Sequence, residues 1–192
     1  MDSFEQVIAS ILERRGFWTR TSVKVELERE EKHAIGRPSS PRWELDVVGY
    51  QGRDNQLLVL ECRSLLDSYG VRVETFAGKN AKNQKRYKLF FEKSLREVVL
   101  GRLVKQLVHQ GFCPPNPPVT LGLAAGKVHG DETWLRQWFR ERGWDLWTPS
   151  IIRDELTALR DSKYENSVAA VVAKVILRGV AKEAAEVDDG EG

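Results

Sequence analysis

Residues 43–64, WELDVVGYQGRDNQLLVLECRS, hold two apolar runs of strand composition joined by QGRDN, a segment suited to a hairpin turn. The first run, 43–50, presents Asp46; the second, 56–63, presents Glu61, with Arg63 two residues further on. Strand periodicity puts Trp43, Leu45 and Val47 on one face and Glu44 and Asp46 on the other. In the second strand Leu58, Leu60 and Cys62 share one face, and Leu57, Val59, Glu61 and Arg63 share the other. Carboxylates are costly to place beside the core of a sheet, so two of them here need a reason. If the strands pair through the turn, Asp46 and Glu61 approach each other near the same end of the sheet. Close carboxylates repel unless a cation sits between them, and Mg²⁺ takes oxygen ligands of this kind. The alternative is a solvated sheet face on which Glu44, Asp46 and Glu61 pair with Arg63.

Outward from the hairpin, the pattern alternates helices and strands. Ser3 is placed to cap a first helix, with Gln6 as its capping-box partner. Phe4, Val7, Ile8, Ile11 and Leu12 recur at helical spacing until Gly16. Val23, Val25 and Leu27 then alternate as in a strand, and residues 28–41, charged and then rich in Gly, Pro and Ser, read as a loop. After a turn at Gly70, one long helix is expected from about Asn83 to His109, with Phe91, Leu95, Val99, Leu103 and Leu107 on its buried stripe. CPPNPP breaks the chain, VTLGLAA (119–125) is a buried strand, DETWLRQWFRER a helix ended by Gly143, and WDLWT a last short strand. Helices at roughly 150–161 and 164–184 close the pattern. The fold class is α/β, a mixed central sheet flanked by helices in the order αβββαβαβ with a C-terminal helical extension.

The chain has 192 residues and a formal net charge of +2, a size that suits one domain with a real core. No apolar run reaches the ~20 residues that span a bilayer, and the N-terminus lacks the pattern of a signal peptide, so no membrane is expected and a cytoplasmic location is. Cys62 and Cys113 have neither metal-ligand nor disulfide spacing. His33, His109 and His129 have no mutual spacing for zinc or a triad, and GLAAGK is too short for a phosphate loop. From Lys79 to Lys105 nine Lys or Arg face only Glu92 and Glu97. Such a run suits a phosphate backbone, with Lys79, Lys82, Lys85 and Arg86 at its start; the plainer reading is a solvated helix face. The final EVDDGEG reads as an acidic disordered tail.

An aspartate, a hairpin and then Glu-x-Lys, preceded by a helix bearing a glutamate, is the pattern of the PD-(D/E)xK nucleases. This sequence resembles that superfamily, which includes restriction endonucleases and Holliday-junction resolvases, over roughly residues 3–148. Asp46 matches the metal aspartate, Glu61 the second acid, Arg63 the usual lysine and Glu5 the helix-one glutamate. The resemblance implies a restriction endonuclease-like core at 1–148, C-terminal helices at 149–185 packed on it or at a homodimer face, and the tail at 186–192. It further implies Mg²⁺ or Mn²⁺ on Asp46 and Glu61, phosphodiester hydrolysis by an endonuclease, and DNA as partner. Arg63 departs from the family pattern, because arginine stays protonated and is a poor proton acceptor. It suits transition-state neutralisation, or a weakened relative that binds nucleic acid or a protein partner without cutting.

Overall fold

A computed structural model describes residues 2–39, 42–161 and 167–176. The first helix, α1 (Ser3–Arg14), is capped by Asp2 rather than Ser3. Asp2 holds an extended backbone and its carboxylate accepts the Phe4 N–H at 2.8 Å, so Ser3 is already helical. Ile8, Ile11 and Leu12 are fully buried by α1, and Gly16 ends it in the left-handed region at φ 85°. There follow β1 (Trp18–Val25), α2 (Arg29–Ala34), β2 (Trp43–Gln51) and β3 (Gln56–Arg63). The α2 helix lies in a segment expected to be loop; Glu28 and Glu31 close a capping box, and both acids pair with Arg102.

The main sheet is mixed, with five strands in the order β1-β2-β3-β5-β7, where β5 is Val119–Ala125 and β7 is Asp145–Trp147. The strands β1, β2 and β3 run antiparallel, while β5 and β7 add parallel to β3. Buried side chains fill both faces: Leu57, Val59, Leu121 and Leu123 on one side, Leu58, Leu60 and Ala124 with α1 on the other. Two ladders open at one place. Pairing of β1 with β2 skips Ser22 opposite Asp46, and pairing of β2 with β3 stops at Val47↔Leu60, one step before Asp46 would face Glu61. Ser22 takes φ 51°, a left-handed conformation rare for a residue with a side chain. This break resets the alternation of β2: Leu45 packs on one side of the sheet and Val47 on the other, although strict periodicity expects them together.

A second, two-stranded parallel sheet joins β4 (Val71–Arg72) to β6 (Val128–His129), two short strands that periodicity cannot reveal. The expected helix from Asn83 to His109 is three pieces after α3 (Val73–Phe76): α4 (Ala81–Gln84), α5 (Lys88–Phe91) and α6 (Lys93–His109). Tyr87 (φ −126°, ψ 42°) and Glu92 (φ −101°, ψ 95°) leave the helical region and make the breaks. The gain is packing. The breaks let Tyr87 and Phe90 turn inward, with ring centroids 5.0 Å from Phe76 and 5.2 Å from Phe139 respectively. Leu95, Val99, Leu103 and Leu107 form the buried stripe of α6 as expected, whereas Phe91 lies on α5.

Helix α7 (Glu132–Arg140), capped by Asp131, and α8 (Pro149–Arg160) complete the order. Arg14 and Arg15 of α1 both pair with Glu155, which ties α8 to α1. Residues 168–176 are helical and bury Ala169, Ala170 and Ala173; the rest of the expected last helix and the acidic tail lie outside the described residues. Among the described residues no helix is long and apolar enough to cross a membrane. One glycine is required by close approach of strands. A Cβ on Gly122 would meet Leu60 Cδ2 at 2.6 Å and the Asp145 backbone oxygen at 2.9 Å, whereas one on Gly101, in α6, meets nothing within 4 Å. Gly122→Ala is therefore expected to lower stability in urea unfolding by roughly 1–3 kcal/mol. Gly101→Ala should raise it by up to about 1 kcal/mol.

Candidate active site

The ladder opening leaves backbone groups that the sheet no longer serves, and side chains take their place. Asp46 Oδ2 accepts the Cys62 N–H at 2.7 Å, filling the role of the missing strand bond. The same oxygen accepts from Arg63 Nη1 at 3.0 Å, and Arg63 Nη2 donates to Glu61 Oε2 at 3.1 Å. One guanidinium thus spans both acids. It also donates to the carbonyls of Cys62 at 2.7 Å and Arg86 at 3.3 Å, and lies 5.9 Å from the Tyr87 ring centre. Glu5, from α1, reaches the cluster from the other side of the opening, where the Ser22 hydroxyl donates to its Oε2 at 3.2 Å.

Two carboxylates therefore hold one guanidinium, and a third, Glu5, adds its negative charge to theirs. Each strand acid commits one oxygen to Arg63 and keeps another. Asp46 Oδ1 makes no hydrogen bond among the described residues, and Glu61 Oε1 is buried without a partner. Burial first, then the charge of Asp46, raises the Glu61 carboxyl from 4.5 to about 7, against the opposing pull of Arg63. The same two causes raise Glu5. Burial works against the charge of Arg63, but Glu61 and Asp46 overcome it and hold its pKa above the usual value. The Cys62 thiol is pushed far up by burial and by the three acids, which makes it a poor nucleophile.

The structure brings Glu5, Asp46, Glu61 and Arg63 together, while Glu44 stands exposed on β2. The basic run divides. Lys79, Lys82, Lys85 and Arg86 are exposed and form no ion pair among the described residues, and the Arg86 backbone touches Arg63. Further along, Arg102 is held by Glu28 and Glu31, Arg96 caps the Leu89 carbonyl over Trp144, and Lys93 pairs with Glu97. Those cations serve the fold. Sequence reasoning did not identify Ser22, Tyr87 or the Cys62 backbone as parts of the cluster. The only trace of Ser22 is that apolar alternation in its strand begins after it.

The cluster offers hard oxygen donors but no ready cage: among the described residues no group of three or more His, Cys, Asp and Glu is arranged to hold a metal. A cavity of about 980 Å³ between α1, β1 and residues 168–176 is lined by none of Glu5, Asp46, Glu61 and Arg63. No family model and no curated protein matches the chain. A crystal structure of a protein of unknown function, AF1548, aligns with 84% of this chain and 71% of its own at 15% identity, with a TM-score of 0.41.

Because burial favours protonated Glu61, the folded protein keeps a proton between pH 4.5 and about 7 that the unfolded chain releases. Stability contributed by this group falls as pH rises through that window and is flat above it. Glu61→Gln mimics the protonated form. Unfolding free energies from denaturant titrations should therefore fall less over that window in the variant, the difference being on the order of 3 kcal/mol.

Proposed function

We propose that this chain is a divalent-metal-dependent endonuclease of the PD-(D/E)xK kind, acting on phosphodiester bonds of DNA. The observation that carries the reading is the Glu61 carboxylate, buried beside two other acids with one oxygen unsatisfied. A purely structural ion pair needs neither a third acid nor an orphaned oxygen, and each is costly. The donor set fits the ion: Mg²⁺ is commonly bound by one or two carboxylates, with waters and substrate phosphate oxygens completing its shell. Asp46 and Glu61 would hold Mg²⁺ or Mn²⁺. Such an ion supplies Lewis-acid polarisation of the phosphate and a nucleophile at neutral pH.

The chain's own residues supply position and charge. The Cys62 N–H fixes Asp46, and Ser22 fixes Glu5. Arg63 carries permanent positive charge to the place where charge develops on the phosphate, with Lys79, Lys82 and Lys85 available to the flanking backbone. In this reading the five-stranded mixed sheet is a restriction endonuclease-like core, and residues 149–185 are its helical extension.

A second reading rests on the engagement of Arg63. Its guanidinium makes four hydrogen bonds and bridges both acids, as in a site neutralised from within. On that reading the chain binds nucleic acid or a protein partner without cutting.

Nicking of a supercoiled plasmid with Mg²⁺ or Mn²⁺ separates the two. Cleavage is expected from the native protein, with none from Asp46→Ala. Arg63→Ala should lose about a hundredfold or more in rate, as expected for removal of one electrostatic donor worth ~3 kcal/mol. Arg63→Lys keeps partial activity in an enzyme built around arginine. Cleavage that first emerges with Arg63→Lys would support the weakened relative. If neither protein cuts while both stay folded and bind DNA, the nuclease reading fails.

A further inference from the structure

Beside the cluster lies a polar cavity of about 330 Å³, within the size range of small-ligand sites. Tyr69, Arg72, Thr75, Asn83, Arg86 and Tyr87 line it, and none of its lining residues is acidic. It shares walls with the acid cluster, because Arg63 donates to the Arg86 carbonyl and lies over Tyr87. Its rim is rigidly held. The Val71 N–H donates to the Lys127 carbonyl at 2.8 Å, and Gly70, at φ 83°, passes so close that a Cβ there would sit 2.7 Å from the same oxygen. The small β4–β6 sheet therefore fixes a loop that otherwise has no evident reason to be fixed.

The polar groups here await a partner. Thr75 is only 1% exposed, and its hydroxyl has no hydrogen-bond partner. The Asn83 side-chain amide likewise makes no hydrogen bond among the described residues. Tyr69 is 68% exposed, with the Arg72 guanidinium 4.7 Å from its ring centre and His129 edge-on at 6.2 Å. Arg72 also pairs with Glu74 at 3.3 Å, an exposed contact that a bound phosphate can replace. Guanidiniums for a phosphate, an exposed aromatic ring for a base and unpaired hydroxyl and amide groups for a base edge make up the recognition set of one nucleotide.

We propose that this cavity receives a single unpaired nucleotide next to the phosphate presented to Asp46, Glu61 and Arg63, so that the substrate is DNA with unpaired or splayed bases rather than continuous duplex. A base stacked within a duplex cannot enter a concave cavity. The inference rests on the nuclease reading for what happens to that phosphate, but the binding it describes is measurable without cleavage.

The test is fluorescence anisotropy in EDTA, with a labelled single-stranded deoxyoligonucleotide and the same sequence as blunt duplex. The native protein should bind the single strand about tenfold or more tightly than the duplex. Tyr69→Ala and Arg72→Ala should remove that preference and leave duplex affinity nearly unchanged. Thr75→Val, of similar shape, separates a binding role from a packing one: it should weaken single-strand binding while unfolding no more readily than the native protein. Equal affinity for both forms, or a preference that survives all three substitutions, would overturn the proposal and leave the nuclease reading standing. A preference that the substitutions remove, in a protein that nicks no plasmid, would support the pocket and end the hydrolytic reading. Absence of binding to either probe overturns the pocket, and plasmid nicking then decides the nuclease reading on its own.

Discussion

A guanidinium set between two carboxylates, at the place where two strand ladders part, is the constraint around which this molecule is organised. Asp46 sits in the middle of β2, yet neither neighbouring strand pairs with it. Its side chain takes over the Cys62 N–H that β2 would otherwise satisfy, and Arg63 fills the space that opens toward Glu61. Without Arg63 the buried Glu61 would face Asp46 with no compensating charge, a cost of several kcal/mol that a protein of marginal stability can hardly carry. Without Asp46 the Cys62 N–H would lose its partner.

The surrounding elements can be understood as support for that opening. Helix α1 covers one face of the sheet and delivers Glu5 to the gap, where Ser22 adopts its left-handed backbone to meet it. On the other face, the break between α4 and α5 turns Tyr87 inward beneath Arg63 and brings the Arg86 carbonyl within reach. A continuous helix through residues 83–109 would hold Tyr87 in helical backbone, whereas here it takes φ −126° and ψ 42°. The irregularity is therefore where packing and the charged cluster meet, and it leaves Lys79, Lys82, Lys85 and Arg86 exposed, with the Arg86 backbone against Arg63.

The hairpin, the five principal strands and the chain order of the main helices were legible in the sequence because each has a strong period and clear turn residues. Asp46, Glu61 and Arg63 were legible as a group because all three interrupt apolar strands near one hairpin. What escaped was set by tertiary contact. Tyr87 and Glu92 leave the helix to fill an aromatic core, which no local pattern records. The β4 and β6 strands are two residues each, too short for a period to show. The face of Val47 was misjudged because a skipped ladder position shifts alternation by one. Asp2 takes the cap because it lies one residue earlier and is itself a good acceptor.

If the chain is the nuclease we propose, Asp46 and Glu61 take up a divalent cation when DNA is bound. Mn²⁺ uptake followed by electron paramagnetic resonance, with and without a short DNA strand, tests it most directly. One Mn²⁺ is expected to bind per native chain in the presence of DNA, with that binding lost in a folded Asp46→Ala variant. Uptake that is absent from the native complex, or identical in Asp46→Ala, would contradict it.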